Sequence, residues 1–236
     1  MKAGGKAIPY PLDVADKTAY KTVAENFLEN AGGIDLLVNN AGVGDGSPFE
    51  EYGLENWEWM TGINQMGVIY GCHYFIPAMK QQKSGHIINI SSIAAVVTAP
   101  GMSPYNTTKA AVKALFETLY AELKESGINV SVAMPFFFRT NIIQYSRGRA
   151  EEQEMGKYMV HGASHSAHDM ARQLLQKAGV GKFHILFPFQ AVIFFHLKRF
   201  FPMTQLRINA YMATKRDKMR EIAKKQYDKQ LEKMKK

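Results

Sequence analysis

Residues 87–109, IINISSIAAVVTAPGMSPYNTTK, admit few folds. The short apolar run Ile87–Ser91, rich in β-branched residues and ending in hydroxyls, predicts a buried strand. After a loop, Ser103-Pro104 places a hydroxyl at a helix cap and a proline at the first helical position. The helix that follows carries Tyr105 and Lys109 four residues apart, hence on one face. Ser92 lies just past the strand end, 13 residues before Tyr105. Open α/β sheets bind their ligands beside the carboxyl ends of their strands. A hydroxyl, a phenol and an ammonium are expected to converge at such an end.

That grouping suits proton transfer. A phenol with a pKa of about 10 is a poor acid or base at neutral pH. A nearby cation favours the phenolate and brings it toward the working range. A serine hydroxyl can then hold the substrate oxygen. Tyr and Lys four apart also occur as an ordinary exposed helix pair. The strand, the spacing of Ser92 and the segment Asn39-Asn40-Ala41-Gly42 upstream set this chain apart from that case.

Together with Asn64 and Pro135…Thr140, these residues resemble the classical short-chain dehydrogenase/reductase (SDR) family over roughly residues 7–187. The resemblance implies an α/β fold with a Rossmann-like doubly wound parallel sheet. It implies a nicotinamide cofactor, NAD or NADP, and an alcohol/carbonyl substrate pair. The catalytic set it implies is Asn64, Ser92, Tyr105 and Lys109. Tyr105 would exchange the proton and Lys109 would lower its pKa and hold the nicotinamide ribose. Ser92 would orient the carbonyl, and Asn64 would support a proton relay. The cofactor set it implies is Asp13, Val14, Asn40, Ala41, Gly42, Tyr105, Lys109, Pro135 and Thr140. Within that set the Asp13-Val14 pair would meet the adenine, although Asp13 could instead simply begin the next turn.

Taken in order, Ala7–Leu12 reads as a strand whose two prolines argue for an edge or irregular position. A helix is expected over Lys17–Asn30, ended by Gly32-Gly33. Ile34–Asn39 is a continuous apolar run of the kind found inside a parallel sheet. Gly42–Gly46 superficially resembles a phosphate loop but follows the wrong strand, and reads as a flexible loop near the substrate. Leu54–Gln82 is a long helical region. The helix from Ser103 to Ser126 and a strand over Ile128–Pro135 follow. In the family the long helical region and the Ser103–Ser126 helix pair with their copies, which implies a homo-oligomer. Phe136 replaces a family glycine at the nicotinamide seat, and Phe136–Phe138 suggest an apolar substrate pocket. Asn141–Ser164 is expected to be a polar, mobile substrate loop, followed by a helix over Ser166–Ala178 and a last strand over Lys182–Phe187.

Composition sets bounds. At 236 residues and 46% apolar content the chain can bury one good core. Cys72 is the only cysteine, which excludes an internal disulfide and suits a reducing, cytoplasmic compartment. No apolar run reaches the roughly 18 residues of a membrane span, and no signal peptide is evident. The net charge of +8 is concentrated at one end, with ten Lys/Arg against four Asp/Glu in Tyr211–Lys236. It is a property of the tail and does not suggest nucleic acid. His161, His165 and His168 could share a helix face, but they lack an acidic or cysteine partner, and no metal site is expected.

Two features depart from the family. The glycine-rich turn TGxxxGxG, with its flanking first strand, first helix and second strand, is not found. The favoured expectation is an N-terminally truncated form lacking strands 1 and 2, with the strand at Ile34–Asn39 left as a bare edge. A complete but reduced protein, acting as a dimerisation or membrane-surface module without catalysis, is the alternative. The second feature is the extension after the Rossmann-like domain of residues 1–187. Residues 188–236 begin with FQAVIFFHLKRFF, then Pro202, then a basic helix. This tail either packs on the domain or a partner, or makes peripheral contact with a membrane surface. Either would suit a lipophilic substrate.

Overall fold

The computed structural model describes residues 4–234. Its core is a four-stranded, all-parallel sheet in sequential order, β1 (Leu36–Asn39), β2 (Gly85–Ile90), β3 (Ile128–Pro135) and β4 (His184–Phe187). The helices between these strands are α1 (Lys17–Ala31), α2 (Leu54–Thr61), α3 (Gly67–Gln82), α4 (Ser103–Glu122), α5 (Ala150–His161) and α6 (Ala167–Gly179). Three more follow the sheet: α7 (Phe189–Phe200), α8 (Pro202–Thr214) and α9 (Arg216–Met234). Among the described residues no helix is long and apolar enough to cross a membrane.

The period of two along the strands divides the core between two faces. Leu37, Ile87, Val130, Val132 and Met134 pack with α1, α3 and α4. Ile88, Ala133 and Ile185 point the other way, onto Met170, Leu174 and Ala178 of α6. Helices therefore cover both faces, as a doubly wound parallel sheet requires. Coverage fails at β1, which among the described residues pairs only with β2 and leaves Leu36 and Val38 exposed. This is the apolar edge expected at Ile34–Asn39.

Local chemistry explains the ends. Asp16 caps α1 by accepting from Thr18 N and Ala19 N, and Gly32 closes it at φ 72°. Ser166 and Asp169 form a reciprocal capping box at the start of α6. At α4 the cap falls on Met102, so Ser103 is already helical.

Four expectations need correction. Residues 7–12 form no strand. Pro9 and Pro11 have no N–H to donate, and no neighbouring strand is there to receive one. The segment Asn141–Ser164 is not simply a loop but contains α5. Met155, Tyr158 and Met159 supply a helical apolar face, and α9 supplies the surface it packs on, with the Tyr158 and Tyr227 rings 5.5 Å apart. The expected single basic helix after Pro202 is two helices, α8 and α9. Finally, His161 ends α5 while His168 lies in α6, so the three histidines share no helix face.

The tail packs on the domain. Ala191 of α7 is fully buried, and Phe195 lies against His184 of β4 at 5.2 Å. From α8, Asn209 donates to the Thr98 carbonyl, and from α9, Gln226 donates to the Gly162 carbonyl.

Candidate active site

The site forms where β1 and β2 end. Ser92 follows β2 and caps a single 3-10 turn, its Oγ accepting from Ala94 N at 3.1 Å. The loop then rises to α4, whose first turns bury Tyr105, Asn106, Thr108 and Lys109. Asn106 holds the loop by donating to the Ala99 carbonyl at 2.8 Å. Ser91 ties strand to helix by donating to the Lys109 carbonyl at 3.0 Å.

Lys109 runs back toward the sheet. Its Nζ donates to the Ile90 carbonyl at 3.0 Å and lies 5.7 Å from the centroid of the Tyr105 ring. Burial pulls the lysine down to about 8. Burial also pushes the Tyr105 phenol above its ordinary value, and the Ser92 hydroxyl offsets part of that rise. The expected depression of the phenol by Lys109 is therefore not what this structure displays. Desolvation outweighs any help from the cation, whose hydrogen bond goes to a backbone carbonyl.

Asn64 joins the group from the far side. It sits in a one-turn π-helical segment, Gly62–Met66, between α2 and α3. Such bulges reorient a side chain within a helix and recur at functional sites. Asn64 Oδ1 accepts from Val43 N, and Nδ2 donates to the Val43 carbonyl, both at 2.9 Å. Its Nδ2 also reaches Thr108 Oγ1 at 3.4 Å. Gly42 lies between Asn64 and Lys109. A Cβ placed there would stand 3.3 Å from Asn64 Oδ1 and 3.4 Å from Lys109 Nζ. The absence of a side chain at Gly42 thus keeps amide and ammonium open to a common space.

The remaining candidates fall in two groups. Val14, Asn40 and Ala41 line one cleft at the end of β1, with Tyr20, Ile63 and Gly67. Asp13, which precedes Val14, has one oxygen engaged, accepting from Ala15 N at 2.9 Å. Pro135 ends β3, buried, and Thr140 follows half-buried after Arg139, which donates to the carbonyls of Ala163 and Ser164. Among the described residues no group of three or more His, Cys, Asp or Glu is placed to hold a metal.

The phenylalanines behave differently from expectation. Phe136 stacks on Phe194 of α7 at 5.4 Å, and Phe138 belongs to the α6 side of the core. Tyr105 has an apolar wall nonetheless, made of Val43, Trp59, Met60, Met102 and Ile142. Cys72 is structural, its buried thiol pushed up to about 12.

Asp45 was missed as a functional candidate. Residues 44–47 are buried, so the loop read as flexible is held in place. Asp45 Oδ1 accepts from Gly46 N at 2.8 Å, from Ser146 Oγ at 2.7 Å and from Gly148 N. It thereby staples the segment after β3 over the site and brings Ile142 onto Gly44 and Tyr105. Only its placement between two glycines hinted at a special backbone.

Comparison with known proteins agrees with this architecture. Residues 1–151 match the family described as short chain dehydrogenase. The chain is 35% identical over 159 residues to "Probable oxidoreductase EphD" of Mycobacterium tuberculosis, covering 65% of this chain and 27% of that protein. It is 31% identical over 153 residues to the 3-oxoacyl-[acyl-carrier-protein] reductase FabG of Thermotoga maritima, covering 65% of this chain and 62% of that protein. The chain thus spans only part of the curated relatives it matches. A short chain dehydrogenase/reductase from Burkholderia phymatum, solved in complex with NAD, superposes with a TM-score of 0.79 at 29% identity, over 84% of this chain and 76% of that one. A short-chain dehydrogenase from Streptomyces avermitilis gives 0.69 at 26% identity, over 90% and 79%. The parallel sheet, the convergence of Ser92, Tyr105 and Lys109, and the match over residues 1–151 place this chain in the short-chain dehydrogenase family.

Proposed function

We propose that the chain is an NAD- or NADP-dependent oxidoreductase that interconverts an alcohol and a carbonyl on a lipophilic small molecule. The observation that carries this is the grouping of buried Tyr105, Lys109 and Asn64 with half-buried Ser92 at the carboxyl ends of β1 and β2. A bound nicotinamide dinucleotide supplies or accepts the hydride. In reduction, Tyr105 Oη gives its proton to the carbonyl oxygen, and in oxidation it takes the alcohol proton back. Ser92 Oγ donates to the same oxygen and fixes it opposite the phenol. Lys109 turns its ammonium from the Ile90 carbonyl toward the phenolate as charge develops there. Asn64 holds the Val43 backbone and so keeps the loop after β1 in place beside Lys109, where it would support the proton relay. Asp13, Val14, Asn40, Ala41 and Gly42 would hold the adenosine half, and Pro135 and Thr140 the carboxamide. The wall of Trp59, Met60, Met102 and Ile142 favours an apolar substrate. Pairing of two copies through α3 and α4 completes the proposed enzyme.

A second reading, a catalytically inactive dimerisation or membrane-surface module, would leave the chain without cofactor binding. Titration with NADH and NADPH, followed by nicotinamide fluorescence, separates the two. Saturable enhancement with either cofactor supports the oxidoreductase. No enhancement up to millimolar cofactor rejects it for this chain.

A further inference from the structure

Helix α8 is turned inside out. The residues it buries are Gln205 and Asn209, whose side chains hydrogen-bond to each other at 2.8 Å, while Asn209 also donates to the Thr98 carbonyl at 2.9 Å. Met203, Leu206, Ile208 and Tyr211 are left exposed. A helix on a core normally presents the opposite arrangement. The polar contacts make the orientation specific, because burying Gln205 and Asn209 without them would be costly.

The corner between α7 and α8 extends this surface. Phe200 is 65%, Phe201 60% and Met203 60% exposed, with Pro202 between them. Such adjacent large apolar groups in water mark a contact surface. Along the sequence the charge here is of one sign, and the one acid that lines a groove with Lys198 and Arg199 is Glu117 of α4. From Met170 to Arg216 there is no Asp or Glu, whereas Arg172, Lys177, Lys182, Lys198, Arg199, Arg207, Lys215 and Arg216 are all basic. Arg199 and Arg207 flank the corner and are exposed.

We propose that the α7–α8 corner is a docking surface for an anionic lipid bilayer, entered by Phe200, Phe201 and Met203 and held by Arg199 and Arg207. The apolar groups fit the acyl boundary and the guanidinium groups fit lipid phosphates. A second copy of the chain on this face would bring the same cations against each other. Among the described residues no helix is long and apolar enough to cross a membrane, and the proposed contact is with its surface. This inference does not depend on the oxidoreductase reading.

Co-sedimentation of the full chain with vesicles tests it, comparing phosphatidylcholine alone with phosphatidylcholine–phosphatidylglycerol mixtures. Binding is expected to the anionic vesicles, weakening as salt rises. The double substitution Phe200→Ser, Phe201→Ser should lower affinity roughly tenfold or more, and Arg199→Gln, Arg207→Gln should do the same for anionic vesicles only. Because all four side chains are exposed, circular dichroism should show an unchanged melting transition, and Phe200→Leu, Phe201→Leu should retain binding. Three results would overturn the proposal. One is no binding to either vesicle, and another is equal binding to both. The third is a concentration-dependent dimer in sedimentation equilibrium that the serine pair abolishes, which would assign the corner to a second copy.

Discussion

Lys109 Nζ donates to the Ile90 carbonyl across the gap between α4 and the end of β2, at 3.0 Å, with only 4% of the lysine exposed. The cost of that burial sets a pH dependence. Lys109 titrates near 8 when folded and at its ordinary 10.5 when unfolded. Between those values the unfolded chain binds more protons, so this group makes stability rise with pH across that window. Below it the full penalty applies. Lys109→Met should therefore stabilise the protein at neutral pH by up to about 3 kcal/mol, less about 1 kcal/mol for the lost hydrogen bond. Urea unfolding of both proteins from neutral pH to about 10.5 checks this. Identical pH slopes would refute it.

Tyr105→Phe removes a proton donor without opening a cavity. Turnover should fall by about 100-fold or more, while cofactor titrations stay close to wild type. The substituted protein should lose no more than about 1 kcal/mol, the worth of the hydrogen bond between the phenol and Ser92. Undiminished turnover would remove Tyr105 from the mechanism.

Asn64 spends its amide on both backbone groups of Val43. Asn64→Ala leaves those groups without partners and should destabilise the fold by about 2–4 kcal/mol. Thermal unfolding reads the loss directly. The loop after β1 should also exchange its Val43 amide hydrogen faster.

Asp45 is the staple of the segment after β3. Asp45→Ala should free Ser146 and Gly148 and expose Arg147 and Arg149 to trypsin. Arg147 now stacks 4.0 Å over the Trp59 ring, and Arg149 pairs with Glu51. Cleavage at these arginines should quicken by about tenfold if local opening becomes easier by about 1.4 kcal/mol. An unchanged cleavage pattern would show that α5 and α9 hold the segment unaided.

Gly127 turns the chain from α4 into β3 at φ +73°, and a Cβ there would strike the Lys83 carbonyl oxygen. Gly127→Ala combines left-handed strain with a clash against backbone, and should cost about 2 kcal/mol or more. Denaturant unfolding measures it.

Much of this protein is legible in its residues. The strand at 85–90 and the helix from Ser103 stand close to where β-branched runs and Ser103-Pro104 place them. The grouping of Ser92, Tyr105 and Lys109 follows from periodicity, since one strand end and one helix face leave those side chains little choice of direction. Asn64 stood out only through the family resemblance, and its π-helical turn was not legible, because that distortion depends on what the amide finds to bond across the loop. Asp45 and Phe136 were misjudged for the same reason. Each makes its decisive contact with a residue far along the chain, Ser146 in one case and Phe194 in the other.

What the sequence determined by itself is local: the four strands, the helices α1, α4 and α6 and the face on which their side chains stand, all set by period, propensity and turn chemistry within a few residues. What only the tertiary structure decided is which partner each face meets. It covered α5 with α9, turned α8 so that Gln205 and Asn209 face inward, and buried Lys109 deeply enough to lower its pKa. Those outcomes depend on desolvation and on hydrogen bonds between distant segments, and neither is a property of any local stretch of sequence.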